Sequence, residues 1–295
     1  MKYVLAGASG FLGKALARDL VADGHQVLRL VRRPPSTPDE IRWDPARGVL
    51  DPAALGTPDV LVNLAGANIG RPWTPTYRNK IRESRVNTTA TLAAVAARLD
   101  RRPVLITQSG IGGYGMDLGD RILTEDSELG EGFLSDVVRL WEGALEPARA
   151  AGSRVAALRT GVVLDRKAPA FQLLSLPFRL GLGGRFGSGT QYFPVVSLTD
   201  WLRAVRFVAE HDTIHGPVNV ALPTPATNLE LTEALATALH RPSFVPVPAF
   251  LMKAALGEFA WELLGSKRAL PTRLQSNNFT FHHPTAPTAL SAALA

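Results

Sequence analysis

The chain has no cysteine in 295 residues, which excludes disulfides, thiol nucleophiles and thiolate metal sites and fits a reducing cytoplasm. No run of eighteen apolar residues occurs, so neither a membrane span nor a membrane partner is expected. A strand begins within five residues of Met1, with no charged start, long apolar stretch or cleavage site. A secretory signal is therefore not expected, and the expected location is cytoplasmic. The six histidines form no H-E-x-x-H pattern. His211 and His215 run into Gly216-Pro217, a helix end rather than a metal face, and His282 and His283 would face opposite ways in a strand. No metal is expected. A Gly-x-Ser-x-Gly elbow is also missing, which argues against a hydrolase. Aromatic residues make up only 7% of the chain and do not interleave with the basic groups Arg29–Arg33, Arg78–Arg85 and Arg98–Arg102. The net charge of +6, from 32 Lys and Arg against 26 Asp and Glu, thus reads as a solvated basic surface with a few anion-binding arginines, not as a nucleic-acid interface.

What is present is a globular composition, 46% hydrophobic, long enough for one large core or two domains. The organising stretch is Met1 to Gly13. Tyr3-Val4-Leu5-Ala6 is an apolar run read as a buried strand. Gly7, Gly10 and Gly13 follow at a spacing of three, and from Phe11 the apolar residues Phe11, Leu12, Ala15, Leu16 and Leu20 fall on one helical face. Glycines at a strand-to-helix turn have a physical purpose. Gly7 allows the tight turn, Gly10 lets backbone approach a phosphate, and Gly13 lets the helix pack closely on the strand. The helix N-terminus offers free N–H groups to an anion. Ser9, Phe11 and Leu12 belong to the same candidate dinucleotide site. The second strand, Gln26 to Val31, ends in Arg32-Arg33-Pro34-Pro35 with no acidic residue. An acidic residue there would suit the ribose of NAD, whereas Arg32 and Arg33 suit the 2′-phosphate of NADP, so the expected cofactor is NADP(H).

Further strands are expected at Ile41–Pro45, Asp59–Leu64, Pro103–Thr107 and Arg154–Leu158, with a last sheet strand at Pro217–Ala221 and a short one at Phe193–Val196. Helices are expected at Thr88–Leu99, Glu131–Ala150, Leu198–Ala209 (capped by Thr199-Asp200), Leu229–Leu239 and Ala249–Leu264. Strands alternating with helices predict an α/β fold, a doubly wound parallel Rossmann sheet. Leu64, Ala65 and Gly66 after the fourth strand, and Thr160, Gly161 and Val162 after the sixth, are candidate cofactor contacts. The glycine-dense Gly181–Gly189 is a flexible loop or a close approach to a ligand, with Arg185 and nearby Gln191 as candidate substrate contacts. Residues 1–165 and 196–222 are read as the dinucleotide-binding domain, and 166–195 with 223–295 as a smaller, partly interleaved substrate domain.

Together GASGFLG (Gly7–Gly13), NLAGANI (Asn63–Ile69), SGIGGYG (Ser109–Gly115), Trp141-Glu142, LRTGVVL (Leu158–Leu164), GLGGRFGSGTQ (Gly181–Gln191) and KRALPTRL (Lys267–Leu274) resemble the short-chain dehydrogenase/reductase superfamily in its extended or atypical branch. The resemblance is to YfcH-like epimerase-family proteins, also labelled NAD-dependent epimerase/dehydratase or SulA-like, with their C-terminal domain of unknown function. It implies an NADP(H)-type Rossmann domain, a small substrate domain and an unknown small-molecule substrate. The superfamily's proton-transfer pair is a Tyr with a Lys four residues later on one helix face, beside a strand-end Ser. Here Ser109 fits the Ser, but the Tyr and Lys positions fall on Leu134 and Val138, and no Tyr-x-x-x-Lys exists in the chain. Tyr114, five residues past Ser109, is the substitute acid or substrate contact to consider, against a plain loop aromatic; Ser109 and Tyr114 are thus the catalytic candidates. Two functions follow. One is an NADP(H)-dependent oxidoreductase or epimerase-like enzyme; the other is a non-catalytic NADP(H) sensor or partner-binding protein. The resemblance is compatible with a monomer or a homodimer.

Overall fold

The computed structural model describes all residues, Met1–Ala295. Seven strands form one sheet: β1 (Lys2–Ala6), β2 (Gln26–Val31), β3 (Glu40–Arg42), β4 (Val60–Asn63), β5 (Val104–Gly110), β6 (Val155–Thr160) and β7 (Gly216–Val220), in the order β7-β6-β5-β4-β1-β2-β3. Every neighbouring pair is parallel. The central strands are apolar along their length because both faces are covered. Tyr3, Leu5, Ile106 and Leu158 face one core with α1 (Phe11–Ala22). Val4, Ala6, Leu61 and Leu105 face the other with α2 (Pro75–Ala96).

Several elements differ from the sequence expectation for identifiable reasons. Helix α2 starts at Pro75 rather than Thr88, capped by the Thr74 side chain, which accepts from the Tyr77 N–H. Its first half is polar and hides the helical period. The helix expected over 131–150 is two pieces, α3 (Phe133–Gly143) and α4 (Glu146–Ala150); Gly143 and Pro147 break the run. The segment after Lys167 folds as α5 (Pro169–Arg179). Helix α6 (Leu198–Glu210) is capped by Ser197, not by Thr199-Asp200. Helix α7 (Asn228–Leu239) carries a full capping box, and the helix expected over 249–264 stops as α8 (Ala249–Leu256) at Gly257, whose φ is 58°.

A separate apolar cluster joins Phe171 and Phe178 of α5, Leu231 and Leu235 of α7 and Leu290 of α9 (Ala286–Leu294). The tail does not stay with it: Leu274 and Phe279, expected in the smaller unit, pack into the sheet core beside Trp201. Buried Asp200 accepts the backbone N–H groups of His282 and His283, each at 2.8 Å, which fixes the tail to α6. No helix is long and apolar enough to cross a membrane.

Candidate functional site

The strand order reverses between β1 and β4, so their C-terminal ends splay and leave a crevice there. The glycine turn fills one wall of it. Gly7 has φ +81°, and a Cβ on it would lie 2.6 Å from the carbonyl carbon of Leu64. A Cβ on Gly13 would lie 2.2 Å from the Gly7 oxygen. Both positions are closed by backbone. Gly10 is different: a Cβ there would meet only the Gly7 oxygen, at 3.4 Å, so this face opens outward. The Phe11 and Leu12 N–H groups at the start of α1 have no intramolecular acceptor, and Ser9 is exposed beside them.

At the end of β2 the two arginines part company. The Arg33 guanidinium grips Glu40 with both arms, at 2.8 and 2.7 Å. Glu40 also accepts from the Ser36 N–H. The Arg33 hydrogen bonds, with that amide, hold the Glu40 carboxyl down at about 2. Arg33 thus braces the β2–β3 loop in this structure. Arg32 is exposed with no carboxylate partner.

At the end of β4, Leu64 bonds back to β1 through its N–H to Ala6, at 2.9 Å. Asn63 donates to Thr88 and Thr89 at 3.1 and 2.8 Å, and Trp141 of α3 donates to Thr89 at 2.9 Å. This buried network ties α2 and α3 to the sheet. Next to it, the Arg85 guanidinium sits 5.1 Å from the Trp141 ring centroid and against Gly66, bonded only to the Ile81 carbonyl at 3.1 Å. Burial lowers its pKa to about 10, so it stays cationic at neutral pH, with no carboxylate in contact.

At the end of β5 both catalytic candidates are hydrogen-bonded within the protein. The Ser109 hydroxyl donates to Glu142 Oε1 at 2.7 Å and is only 3% exposed. Glu142 is held in turn by Arg159, whose Nε and Nη2 donate at 2.9 and 2.7 Å. Ser109 and Arg159 are register partners on β5 and β6, which places both under α3. Burial works against the Arg159 charge, yet the Glu142 carboxylate raises its pKa overall. Tyr114 is 1% exposed, and its single proton lies between two acceptors, Asn219 Oδ1 at 2.7 Å and the Thr124 carbonyl at 2.9 Å. Burial raises its pKa, and both of its hydrogen-bond partners lie within the core. Buried Glu125 completes this knot by accepting the Asn219 and Arg273 N–H groups at 3.0 and 3.1 Å. Sequence reading missed Glu142, Arg159 and Asn219 as parts of one network, although Trp141-Glu142 was among the distinctive dipeptides.

Leu134 and Val138 do occupy the helix face turned toward the strand-end loop. Cβ atoms on Gly112 and Gly113 would meet the Leu134 and Val138 side chains at 3.1 and 2.7 Å. In front of them a pocket is lined by Trp73, Met116, Leu134 and Trp261 together with Glu258 and Glu262. Glu258 is paired with Arg78, and Glu262 with buried Lys267 at 3.3 Å. Both glutamates and Lys267 come from the C-terminal segment. Across the crevice, a Cβ on Gly161 would lie 2.5 Å from the Pro194 oxygen, and the Thr160 hydroxyl donates to the Leu158 carbonyl at 3.1 Å. The Val162 N–H donates to the Pro194 carbonyl at 2.8 Å.

Residues 3–131 match the model of the NAD dependent epimerase/dehydratase family, and residues 247–293 match a domain of unknown function, DUF1731. The chain is 42% identical to epimerase family protein ML0860 of Mycobacterium leprae, over 98% of this chain and 94% of that protein. It is 33% identical to epimerase family protein YfhF of Bacillus subtilis, over 100% and 98%. The crystal structure of human epimerase family protein SDR39U1 (isoform2) with NADPH superposes with a TM-score of 0.89 at 32% identity, covering 99% of each chain. With a parallel Rossmann sheet, the glycine turn at its crevice and end-to-end similarity to these proteins, the chain belongs to the epimerase family of the short-chain dehydrogenase/reductase superfamily, with the DUF1731 domain at its C-terminal end.

Proposed function

We propose that the chain binds NADP(H) in the β1–β4 crevice and acts as an oxidoreductase- or epimerase-like protein on a small molecule held beside the C-terminal segment. The observation that carries this reading is the asymmetry of the glycine turn. Gly7 and Gly13 are closed by backbone, while Gly10 faces outward beside the unbonded amides of Phe11 and Leu12. That is a cradle suited to a pyrophosphate, which needs close backbone approach and a helix N-terminus. The NADPH in the human relative supports the choice of dinucleotide.

In this reading Ser9, Gly10, Phe11, Leu12 and Gly13 hold the pyrophosphate, and Gly7 sets the turn. Arg32, free of any carboxylate, takes the 2′-phosphate. Leu64, Ala65 and Gly66 floor the crevice, and Thr160, Gly161 and Val162 border it. Arg85 adds an unpaired cation next to Gly66. The cofactor, when bound, supplies the hydride chemistry, so the protein's share is binding and orientation. The pocket in front of Leu134 offers aromatic walls and the carboxylates of Glu258 and Glu262 for a polar substrate.

A second reading is a non-catalytic NADP(H)-binding protein. It is favoured by the apolar Leu134 and Val138 in the proton-transfer positions and by the engagement of Ser109 with Glu142. Fluorescence titration with NADPH and NADH tests the shared core of both readings. NADPH is expected to bind tighter by about tenfold or more, the scale of a charge-assisted phosphate contact. Failure of both nucleotides to bind rejects both readings. Consumption of bound NADPH, followed by absorbance across a panel of aldehydes, ketones and nucleotide sugars, separates enzyme from sensor.

A further inference from the structure

Helix α5 is apolar on two faces. Phe171 and Phe178 turn inward into the core of the smaller unit. Leu173, Leu176 and Leu180, spaced to share the opposite face, are 68%, 50% and 66% exposed. A surface helix normally turns its second face polar. The exposed apolar surface continues beyond the helix. Gly183 packs on the Phe178 ring, the Val245 N–H donates to the Gly183 carbonyl at 3.2 Å, and the Val247 N–H donates to Arg185 at 2.9 Å. The pairing joins the loop that carries exposed Leu182 to the segment that carries exposed Phe244, Phe250 and Leu251. A concentration of exposed large apolar side chains of this kind marks an interaction site.

The charges around it point to the partner. Residues 166–199 and 241–257 contain no Asp or Glu, yet they carry Arg166, Lys167, Arg179, Arg185, Arg241 and Lys253. The rest of the chain carries 26 Lys and Arg against 26 Asp and Glu. All six are exposed, and none is paired with a carboxylate. A surface built for a second copy of an otherwise balanced chain would bring like charges together. Exposed leucines and phenylalanines on segments that carry unpaired cations and no acid of their own are instead complementary to an anionic lipid surface, where the apolar side chains enter the interface and the arginines and lysines meet headgroups.

We propose that the face formed by α5, the 180–185 loop and residues 244–251 docks the protein on anionic membranes as a peripheral protein. The expected lack of a membrane partner rested on the lack of a spanning segment, which has no bearing on a surface of this kind. The proposal is independent of the cofactor reading.

The test is flotation of the full chain with vesicles of phosphatidylcholine alone and of phosphatidylcholine containing roughly 30% phosphatidylglycerol. Binding is expected only to the second kind, and is expected to be lost at high salt because the electrostatic share is screened. Leu173→Glu with Leu180→Glu is expected to weaken it by about tenfold or more. Arg166→Glu, Lys167→Glu and Arg179→Glu together, at three exposed positions, are expected to do the same. Thermal melting and NADPH titration of each variant confirm that it remains folded. No flotation with the anionic vesicles, or binding unchanged in both variants, overturns the proposal. So does a stable dimer in light scattering that Leu173→Glu with Leu180→Glu dissociates, since the face would then be covered by a second copy.

Discussion

The hydroxyl of Ser109 donates to Glu142 at 2.7 Å, and Glu142 is clamped by the guanidinium of Arg159. The strand-end serine is thus part of a buried ion-pair network linking β5, β6 and α3. Removing one partner of a buried pair strands the other charge, so Glu142→Ala is expected to cost about 3–5 kcal/mol of stability. Ser109→Ala, which removes a single hydrogen bond to a carboxylate that keeps its arginine, is expected to cost about 1 kcal/mol. Urea denaturation measures both. NADPH affinity of Ser109→Ala is expected to be unchanged; a variant of full stability that has lost binding or turnover would restore Ser109 to the reacting centre.

The three glycines of the turn are expected to separate into structural and binding positions. Gly13→Ala places a methyl 2.2 Å from the Gly7 oxygen, and overpacking of that kind costs about 1–3 kcal/mol. Gly10→Ala has room in the folded chain, its nearest contact being at 3.4 Å. It is expected to keep its melting temperature while losing NADPH affinity, because the methyl occupies the face left to the phosphates. Paired melting curves and titrations of the two variants check the contrast.

Arg32 and Arg33 are expected to differ just as sharply. Arg32→Ala should lower NADPH affinity by about tenfold and leave NADH affinity alone, since only the 2′-phosphate distinguishes them. Arg33→Ala should chiefly loosen the β2–β3 loop, because its guanidinium is already spent on Glu40. Equal loss of NADPH selectivity in the two variants would show that Arg33 leaves Glu40 for the cofactor.

The same pair sets a pH dependence. The Glu40 carboxyl is lowered from 4.5 to about 2 by Arg33 and the Ser36 amide. A lowered folded-state pKa contributes stability that is complete above the unfolded value and lost as pH falls through the folded one. The melting temperature of the native chain should therefore exceed that of Glu40→Gln near neutral pH. The difference should shrink as pH falls from about 4.5 toward 2. A gap that persists to the bottom of that window would mean that the pair is not what separates them.

How far the fold was legible depended on where local pattern and tertiary packing agree. β2 was readable to the residue, Gln26 to Val31, because Val27, Leu28, Leu30 and Val31 form a short apolar stretch between Gly24 and the Pro34-Pro35 stop. The polar first half of α2 was not, because its stability comes from the Thr74 cap and from burying Ile81 against Phe133 rather than from a visible stripe. The break of the expected 131–150 helix was written in Gly143 and Pro147 but needed weighing against a strong apolar period.

The sequence by itself determined the parallel Rossmann sheet, the glycine turn and the absence of the Tyr-x-x-x-Lys pair. Each is a matter of residue type at short spacing, where backbone geometry leaves few alternatives. Only the tertiary structure decided what the polar residues do. Whether Arg33 meets a phosphate or Glu40, whether Tyr114 faces the crevice or Asn219, and whether Arg85 has a carboxylate are questions of which distant side chains arrive within hydrogen-bonding reach. A buried hydroxyl such as that of Tyr114 is satisfied by the partners that arrive, while an unpaired cation such as Arg85 keeps its hydrogen-bonding capacity free.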